Sequence, residues 1–157
     1  MQTLMGQEGV LELPTRKEIF DTVKAQPGIC IRELERTLGL AIGELTYHLP
    51  ILLKAGLINE DNDGYFRRFF PNGLSKKEMS VIALMRRDAA KRVIPLLLSM
   101  GKVDSRQLSE ELSLSISTAK WHLERMEKND IVIKRKVGKT NYFELKDTDV
   151  VRKIYLL

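Results

Sequence analysis

The sequence is poor in the residues that most covalent and metal chemistry requires. Its 157 residues include one cysteine, Cys30, so no intramolecular disulfide and no CxxC metal knuckle can form. There are two histidines, His48 and His122. With Cys30 they make a poor metal ligand set, and Cys30 reads as a small core residue. No apolar run approaches the ~18 residues needed to cross a bilayer. Residues 1–13 lack the basic flank and apolar centre of a signal peptide. No Ser/His/Asp grouping, glycine-rich phosphate loop or carboxylate pair is present, so an enzyme is not expected. These absences leave a soluble, cytoplasmic chain with no cofactor and no membrane partner as the expectation. Hydrophobic residues at 43% are enough for a core, and charged residues at 30% with a net charge of +5 make the chain mildly basic.

What the chain does have is a copy of itself. Shifted by 74 positions, the sequence matches itself without a gap. Arg32, Leu34, Leu38, Leu40, Ile42, His48, Leu49 and Lys54 fall on Arg106, Leu108, Leu112, Leu114, Ile116, His122, Leu123 and Lys128. Tyr47 falls on Trp121, Gly64 on Gly138 and Phe69 on Phe143.

Each copy reads as the same set of elements. In copy one, Thr15-Arg-Lys-Glu18 has the form of a capping box, and Ile19, Phe20 and Val23 line the helix that follows. A second helix over Arg32–Leu38 ends at Gly39, and a third runs over Gly43–Lys54 with Pro50 inside it. Asp61-Asn-Asp-Gly64 marks a hairpin turn, with a return strand over Tyr65–Phe70. In copy two the helices span Asp88–Ser99, Arg106–Leu112 and Ser117–Lys128. Strands over Ile131–Lys136 and Asn141–Leu145 flank Gly138. Two helices joined by a short turn and followed by a β-hairpin make a winged helix-turn-helix. The expected fold is mainly α with small β-hairpins: tandem winged helix-turn-helix domains joined by a helix. Residues 1–73 form the first domain, 74–90 the connecting helix and 91–157 the second domain with a terminal helix. The connecting helix opens on a capping box, Ser75-Lys-Lys-Glu78, with Met79, Ile82, Ala83 and Met85 as its stripe.

The third helices differ between copies. In copy two, Ile116, Ala119, Leu123 and Met126 form the expected core face. Ser117, Trp121, Arg125 and Lys128 point outward, with Thr118 and Glu124 beside them; Lys120 is a further candidate DNA contact and Ser115 the cap. In a helix-turn-helix this outward face enters the DNA major groove, where hydroxyls and cations bond phosphates and base edges. Trp121 either meets DNA or covers a flank of its own module. Lys134, Arg135, Lys136 and Lys139 surround the second turn and suit a phosphate backbone or a minor groove, although a solvated basic turn would read alike. Copy one presents Glu44, Tyr47 and Ile51, a poorer surface for DNA and a better one for protein. Its hairpin still offers Arg67 and Arg68 to phosphate. The histidines sit at the edge of each core, as structural groups or phosphate contacts. Residues 1–73 carry 8 Lys/Arg and 10 Asp/Glu, net −2; residues 74–157 carry 18 and 11, net +7. The positive charge is concentrated in the second half.

The motifs Thr15-Arg-Lys-Glu-Ile19, Gln26-Pro-Gly-Ile29, Gly43-Glu-Leu-Thr-Tyr-His-Leu49 and Lys54-Ala-Gly-Leu-Ile58 resemble archaeal transcriptional regulators with two winged helices in tandem. Arg67-Arg-Phe-Phe-Pro71 and Ser115-Ile-Ser-Thr-Ala-Lys-Trp-His-Leu123 resemble the same group. It includes euryarchaeal activators of motility genes, and its modules are similar to arsenic-repressor-like and multidrug-resistance-like winged helices. The resemblance spans about residues 14–146 and implies a regulator that binds specific double-stranded DNA near promoters; the charge split assigns the grip mainly to the second module. Ala41, Pro50 and the acidic third helix of copy one depart from the pattern. Two alternatives stand beside this reading: a protein-interaction adaptor in a transcription assembly, and a low-specificity DNA-coating protein. The last segment, from Thr148, reads as an amphipathic helix. Its apolar face, Val150, Val151, Ile154 and Leu157, must be covered either by its own chain or by a second copy, and Val150, Ile154 and Leu157 are the candidate contacts in a homodimer. Tyr47 and Ile51 are candidate contacts with a transcription-machinery partner.

Overall fold

The repeat seen in the sequence becomes a repeat of elements in the computed structural model, which describes residues 2–155. The chain divides into two compact units, with the division between Met79 and Ser80. The first unit runs α1 (Gln2–Leu11), α2 (Pro14–Ala25), β1 (Ile29–Cys30), α3 (Ile31–Leu38), α4 (Ile42–Lys54), β2 (Ile58–Asn62) and β3 (Arg67–Pro71). Next come α5 (Lys76–Met85), α6 (Asp88–Met100), β4 (Lys102–Val103), α7 (Ser105–Leu112), α8 (Ile116–Lys128), β5 (Val132–Val137), β6 (Thr140–Leu145) and α9 (Thr148–Tyr155). The segments α1, α3 and α4 coincide with α5, α7 and α8 when moved by 74 residues. The helix expected as a connector is therefore the first helix of the second repeat, and α1 is its unforeseen counterpart.

In the first unit, Pro14 occupies the opening turn of α2, where its missing N–H costs nothing. The start therefore falls at Leu13 and no side chain caps it. This corrects the expected capping box at Thr15 and Glu18. Helix α3 ends at Gly39, whose φ of 66° is a left-handed conformation suited to glycine. Ile19, Val23, Ile29, Leu34, Leu45, Leu49, Leu52, Ile58 and Phe69 form the core. The sheet has three strands in the order β1-β3-β2, all antiparallel, with Ile29 opposite Phe69 and Glu60 opposite Phe69 on its other side. The sequence suggested two strands. A two-residue strand such as β1 carries no periodicity of its own and forms only because β3 offers an edge.

The second unit repeats this sheet as β4-β6-β5. Val103 pairs with Phe143, each 74 residues beyond Ile29 and Phe69, so the register is the same in both copies. Val93, Ile94, Leu97, Leu108, Ala119, Leu123, Met126, Ile131 and Phe143 are buried. Helix α5 has the predicted capping box: Ser75 Oγ accepts from the Glu78 amide at 3.0 Å, and the Ser75 amide donates to Glu78 Oε1 at 3.2 Å. Its buried residues are Val81, Ile82, Ala83 and Leu84. This is wider than the predicted stripe, and Met79 and Met85 are only half-buried. Among the described residues, no helix is long and apolar enough to cross a membrane.

Candidate nucleic-acid interface

Ser115 builds the start of α8. Its backbone is extended, and its hydroxyl accepts from the Thr118 amide at 3.1 Å and donates to Thr118 Oγ1 at 2.8 Å. This satisfies one of the four amides that a helix start leaves open. The turn before it is held by Leu114, whose amide donates to the Ser109 carbonyl at 3.0 Å, and by Arg92, whose Nη2 donates to the Leu112 carbonyl at 2.7 Å. The first turn of α8 thereby faces solvent with Ser115, Ser117, Thr118 and Lys120 exposed. One further turn along, Trp121 is half exposed at 50%, with Lys128 exposed and Arg125 half-buried. Ile116, expected in the core, is 52% exposed. As the first helical residue it precedes the turn whose buried positions, Ala119, Leu123 and Met126, define the core face.

These side chains are organised by one another. The Arg125 guanidinium lies 5.2 Å from the Trp121 ring centroid. The Trp121 and His122 rings meet edge to face at 5.0 Å. Burial, and then the positive charge of Arg125, hold the His122 imidazole below its usual range, so it is neutral near pH 7. Lys120 pairs with Glu124 at 3.9 Å, one turn along the same exposed face.

The second hairpin projects beside these groups in sequence as a six-residue pair closed by Gly138 and Lys139. Gly138 has φ of 63°, which a two-residue hairpin turn requires. The four basic residues are not equivalent. Lys134 lies 3.8 Å from Glu127, and Arg135 is bonded to Glu144 across the hairpin. Lys136 and Lys139 are exposed at the tip and pair with no carboxylate among the described residues. Lys102, which sequence reasoning passed over, stands 5.1 Å above the Tyr142 ring on the same sheet. Only the pairing of the two-residue strand β4 with β6 brings it there.

The first unit has the same frame with different chemistry. Ala41 precedes α4 with no side-chain cap. Tyr47 is 63% exposed, whereas Ile51 is half-buried and does not form the exposed pair expected with it. Arg67 is exposed and bonded to Glu60. Arg68 corrects its assignment to phosphate most clearly, being only 5% exposed. Its Nε donates to Asp63 Oδ2 at 2.7 Å, its Nη1 donates to the Gly28 carbonyl at 2.9 Å, and Glu33 lies 3.7 Å away. Cys30 on β1 is its cross-strand partner. Asp63 shows the electrostatics of this knot. Burial alone would raise its carboxyl, but the Arg68 hydrogen bond and the Phe66 and Tyr65 amides outweigh that and hold it at about 2. His48 is also lowered, by burial and by Arg16, whose Nε donates to His48 Nδ1 at 3.2 Å.

On α9, Val151 and Ile154 are buried within the chain, and Val150 is half-buried. Ile154 is therefore not available to a second copy, a correction to its expected role; Leu157 lies outside the described residues.

Residues 14–82 match a family described as an N-terminal HTH domain. Residues 91–133 match one described as winged helix-turn-helix DNA-binding. The chain is a tandem of two helix-turn-helix domains. It is homologous to an uncharacterised HTH-type transcriptional regulator of Methanocaldococcus jannaschii, 29% identical over 135 residues. That alignment covers 86% of the chain, which spans about one third (34%) of the relative's length. Among solved structures, reduced HlyU from Vibrio cholerae is 27% identical over 52% of this chain and 84% of its own, with a TM-score of 0.46. A homodimeric winged helix-turn-helix DNA-binding domain from Mycobacterium bovis, described as a possible ArsR-family regulator, is 19% identical over 54% of this chain and 83% of its own, with a TM-score of 0.45.

Proposed function

We propose that this tandem helix-turn-helix chain regulates transcription by binding specific duplex promoter DNA, and that its second unit supplies most of the grip. The observation that carries this reading is the asymmetry of charge and cap. Unit two presents Ser115, Ser117, Thr118 and Lys120 at an open helix start, with Lys136 and Lys139 uncompensated at the hairpin tip. Helix starts favour phosphate, and tip cations release counterions from the backbone. Trp121, with Arg125 stacked on it, gives the same helix an apolar edge for a sugar or a thymine methyl. Unit one has the opposite sign of charge, and its buried Arg68 is committed to its own fold.

Selection of genomic duplex fragments by the full chain tests the reading. A discrete enriched site is expected, with Ser117→Ala and Trp121→Ala relaxing its sequence preference. Failure to enrich any duplex over random fragments would overturn it. For the first unit alone, the exposure of Tyr47, Tyr65 and Phe66 favours a second role as a docking surface for a transcription-machinery protein. In reconstituted transcription, Tyr47→Ala then reduces regulation without changing duplex affinity. Pairing of two chains is part of the same proposal, with half-sites about one helical turn apart. Val150 and the exposed Tyr155 are the apolar positions on α9 left to a second copy. A monomeric mass by light scattering in the presence of the enriched duplex would remove it.

A further inference from the structure

Ile116 is an apolar side chain in a polar place. Its spacing from Ala119 and Leu123 puts it on the apolar side of α8, yet it is 52% exposed, because it opens the helix and the buried positions begin one turn later. Around it, Ser115, Ser117, Thr118 and Lys120 are all exposed and all able to bond a phosphate or a base edge. Ile116 can do neither. Its backbone is fixed nonetheless. The Ser115 hydroxyl accepts from the Thr118 amide at 3.1 Å, and the Leu114 amide donates to the Ser109 carbonyl at 3.0 Å. A β-branched side chain on a helical backbone has one strongly preferred rotamer, so Ile116 presents its methyl groups in a set direction. No acidic residue occupies the first turn of α8 to repel a nucleic acid. The other copy also has an isoleucine here, Ile42, 40% exposed, but Glu44 follows it in the first turn of α4.

We propose that Ile116 is a specificity-determining residue that selects thymine by packing on its 5-methyl group in the major groove. This inference rests on the DNA-binding reading above, and adds to it a residue and the base feature that the residue reads. The N-terminal residues of the second helix of a helix-turn-helix are the ones that reach base edges. The thymine methyl is the apolar group on the major-groove edge, and no other base carries one there. Contact between the two takes both out of water, which is where the preference comes from. Trp121 is a separate reader. Five residues on, it lies about 140° around the helix axis from Ile116, so the two side chains reach different positions of a site. Glu44, repelled by phosphate, denies Ile42 the same role and makes it an internal control.

The duplex enriched by the full chain is resynthesised with deoxyuridine in place of thymidine, one position at a time. Each replacement removes a methyl group and keeps every hydrogen bond. At one thymine contacted by each bound chain, the loss should weaken binding by the parent about fourfold, the worth of one buried methyl. Ile116→Ala should bind the thymine and uracil duplexes equally at that position, and Trp121→Ala should still distinguish them. Ile116→Val keeps the branch and should retain most of the difference, and Ile42→Ala should leave it unchanged. Circular dichroism checks the fold of each variant. If Ile116→Ala does not fold, Ile116→Gln, a good helix former without a methyl, carries the same test. An enriched duplex with a methyl effect at no thymine, one that survives the loss of Ile116, or one lost equally in Trp121→Ala would overturn the inference and leave the DNA-binding reading standing. Failure to enrich any duplex would overturn both.

Discussion

Sheet order and cross-strand register are the same in the two units, yet their caps, cations and buried polar groups differ. The start of α3 is bonded through Cys30, whose amide and Sγ donate to Glu33 Oε1 at 3.4 and 3.1 Å. Its counterpart on α7 is a reciprocal box between Asp104 and Gln107, with bonds of 2.7 and 2.9 Å. Ala41 stands where Ser115 caps, Arg16 where Ala90 opens a cavity, and Arg68 where Tyr142 lies beneath Lys102. The lesson is that the buried pattern fixes the frame, while charge and caps set what each copy can bind. A winged helix-turn-helix is a scaffold, and function is decided by the site placed on it.

The largest expected effect falls on the knot peculiar to unit one. Arg68→Ala leaves Asp63 and Glu33 without their buried cation and should cost about 3 kcal/mol of stability. Chemical denaturation followed by hydrogen exchange should place that loss in unit one, with duplex affinity of the folded variant nearly unchanged. A large loss of affinity with intact stability would restore Arg68 to the DNA surface. Its neighbour Arg67 is an exposed pair with Glu60, and Arg67→Ala should change stability by less than about 1 kcal/mol.

Next is an exchange of caps. Ser115→Ala removes the bond to the Thr118 amide and should destabilise unit two by about 1 kcal/mol. Ala41→Ser places a hydroxyl at the equivalent extended position and should stabilise unit one by up to about 1 kcal/mol. Equal and opposite shifts in denaturation midpoint would confirm that the caps are interchangeable. No gain from Ala41→Ser would show that unit one cannot accept a cap there.

A smaller effect separates the units by pH. The Asp63 carboxyl is held at about 2 in the fold, against an ordinary value of 3.8. Its ionised form therefore favours folding. That contribution is complete above about pH 4 and fades as the pH falls toward 2. Acid titration followed by near-ultraviolet circular dichroism of the Tyr65 and Tyr47 region should show this step, and Asp63→Asn should flatten it. An unchanged acid limb in Asp63→Asn would deny the carboxylate its role.

Much of the frame was legible in sequence because it depends on apolar spacing. The 74-residue shift, the third helices and both glycine turns follow from Leu45, Leu49 and Leu52 and from Leu123 and Met126 on their helical faces. What stayed hidden depends on tertiary context. Helix α1 carries Gly6 and Gly9 and little amphipathic order, so nothing in its residues alone announces a helix. Strands β1 and β4 exist only as partners of β3 and β6. Arg68 looked like its neighbour Arg67, but its guanidinium is taken up by Asp63, Glu33 and the Gly28 carbonyl, partners that only the fold brings together. The cavity was invisible because it arises from a missing side chain, Ala90, and absence in a sequence has no signature without a second copy for comparison.

The central claim is that unit two holds the DNA. Salt dependence of duplex affinity measures it most directly, because each phosphate the protein ceases to neutralise lowers the slope of log affinity against log salt by about 0.9. The full chain carrying Lys136→Ala and Lys139→Ala should lose about 2 from that slope, whereas Lys54→Ala with Arg67→Ala, a pair of exposed cations in unit one, should change it by less than about 0.5. An equal or larger loss from the unit-one pair would contradict the account.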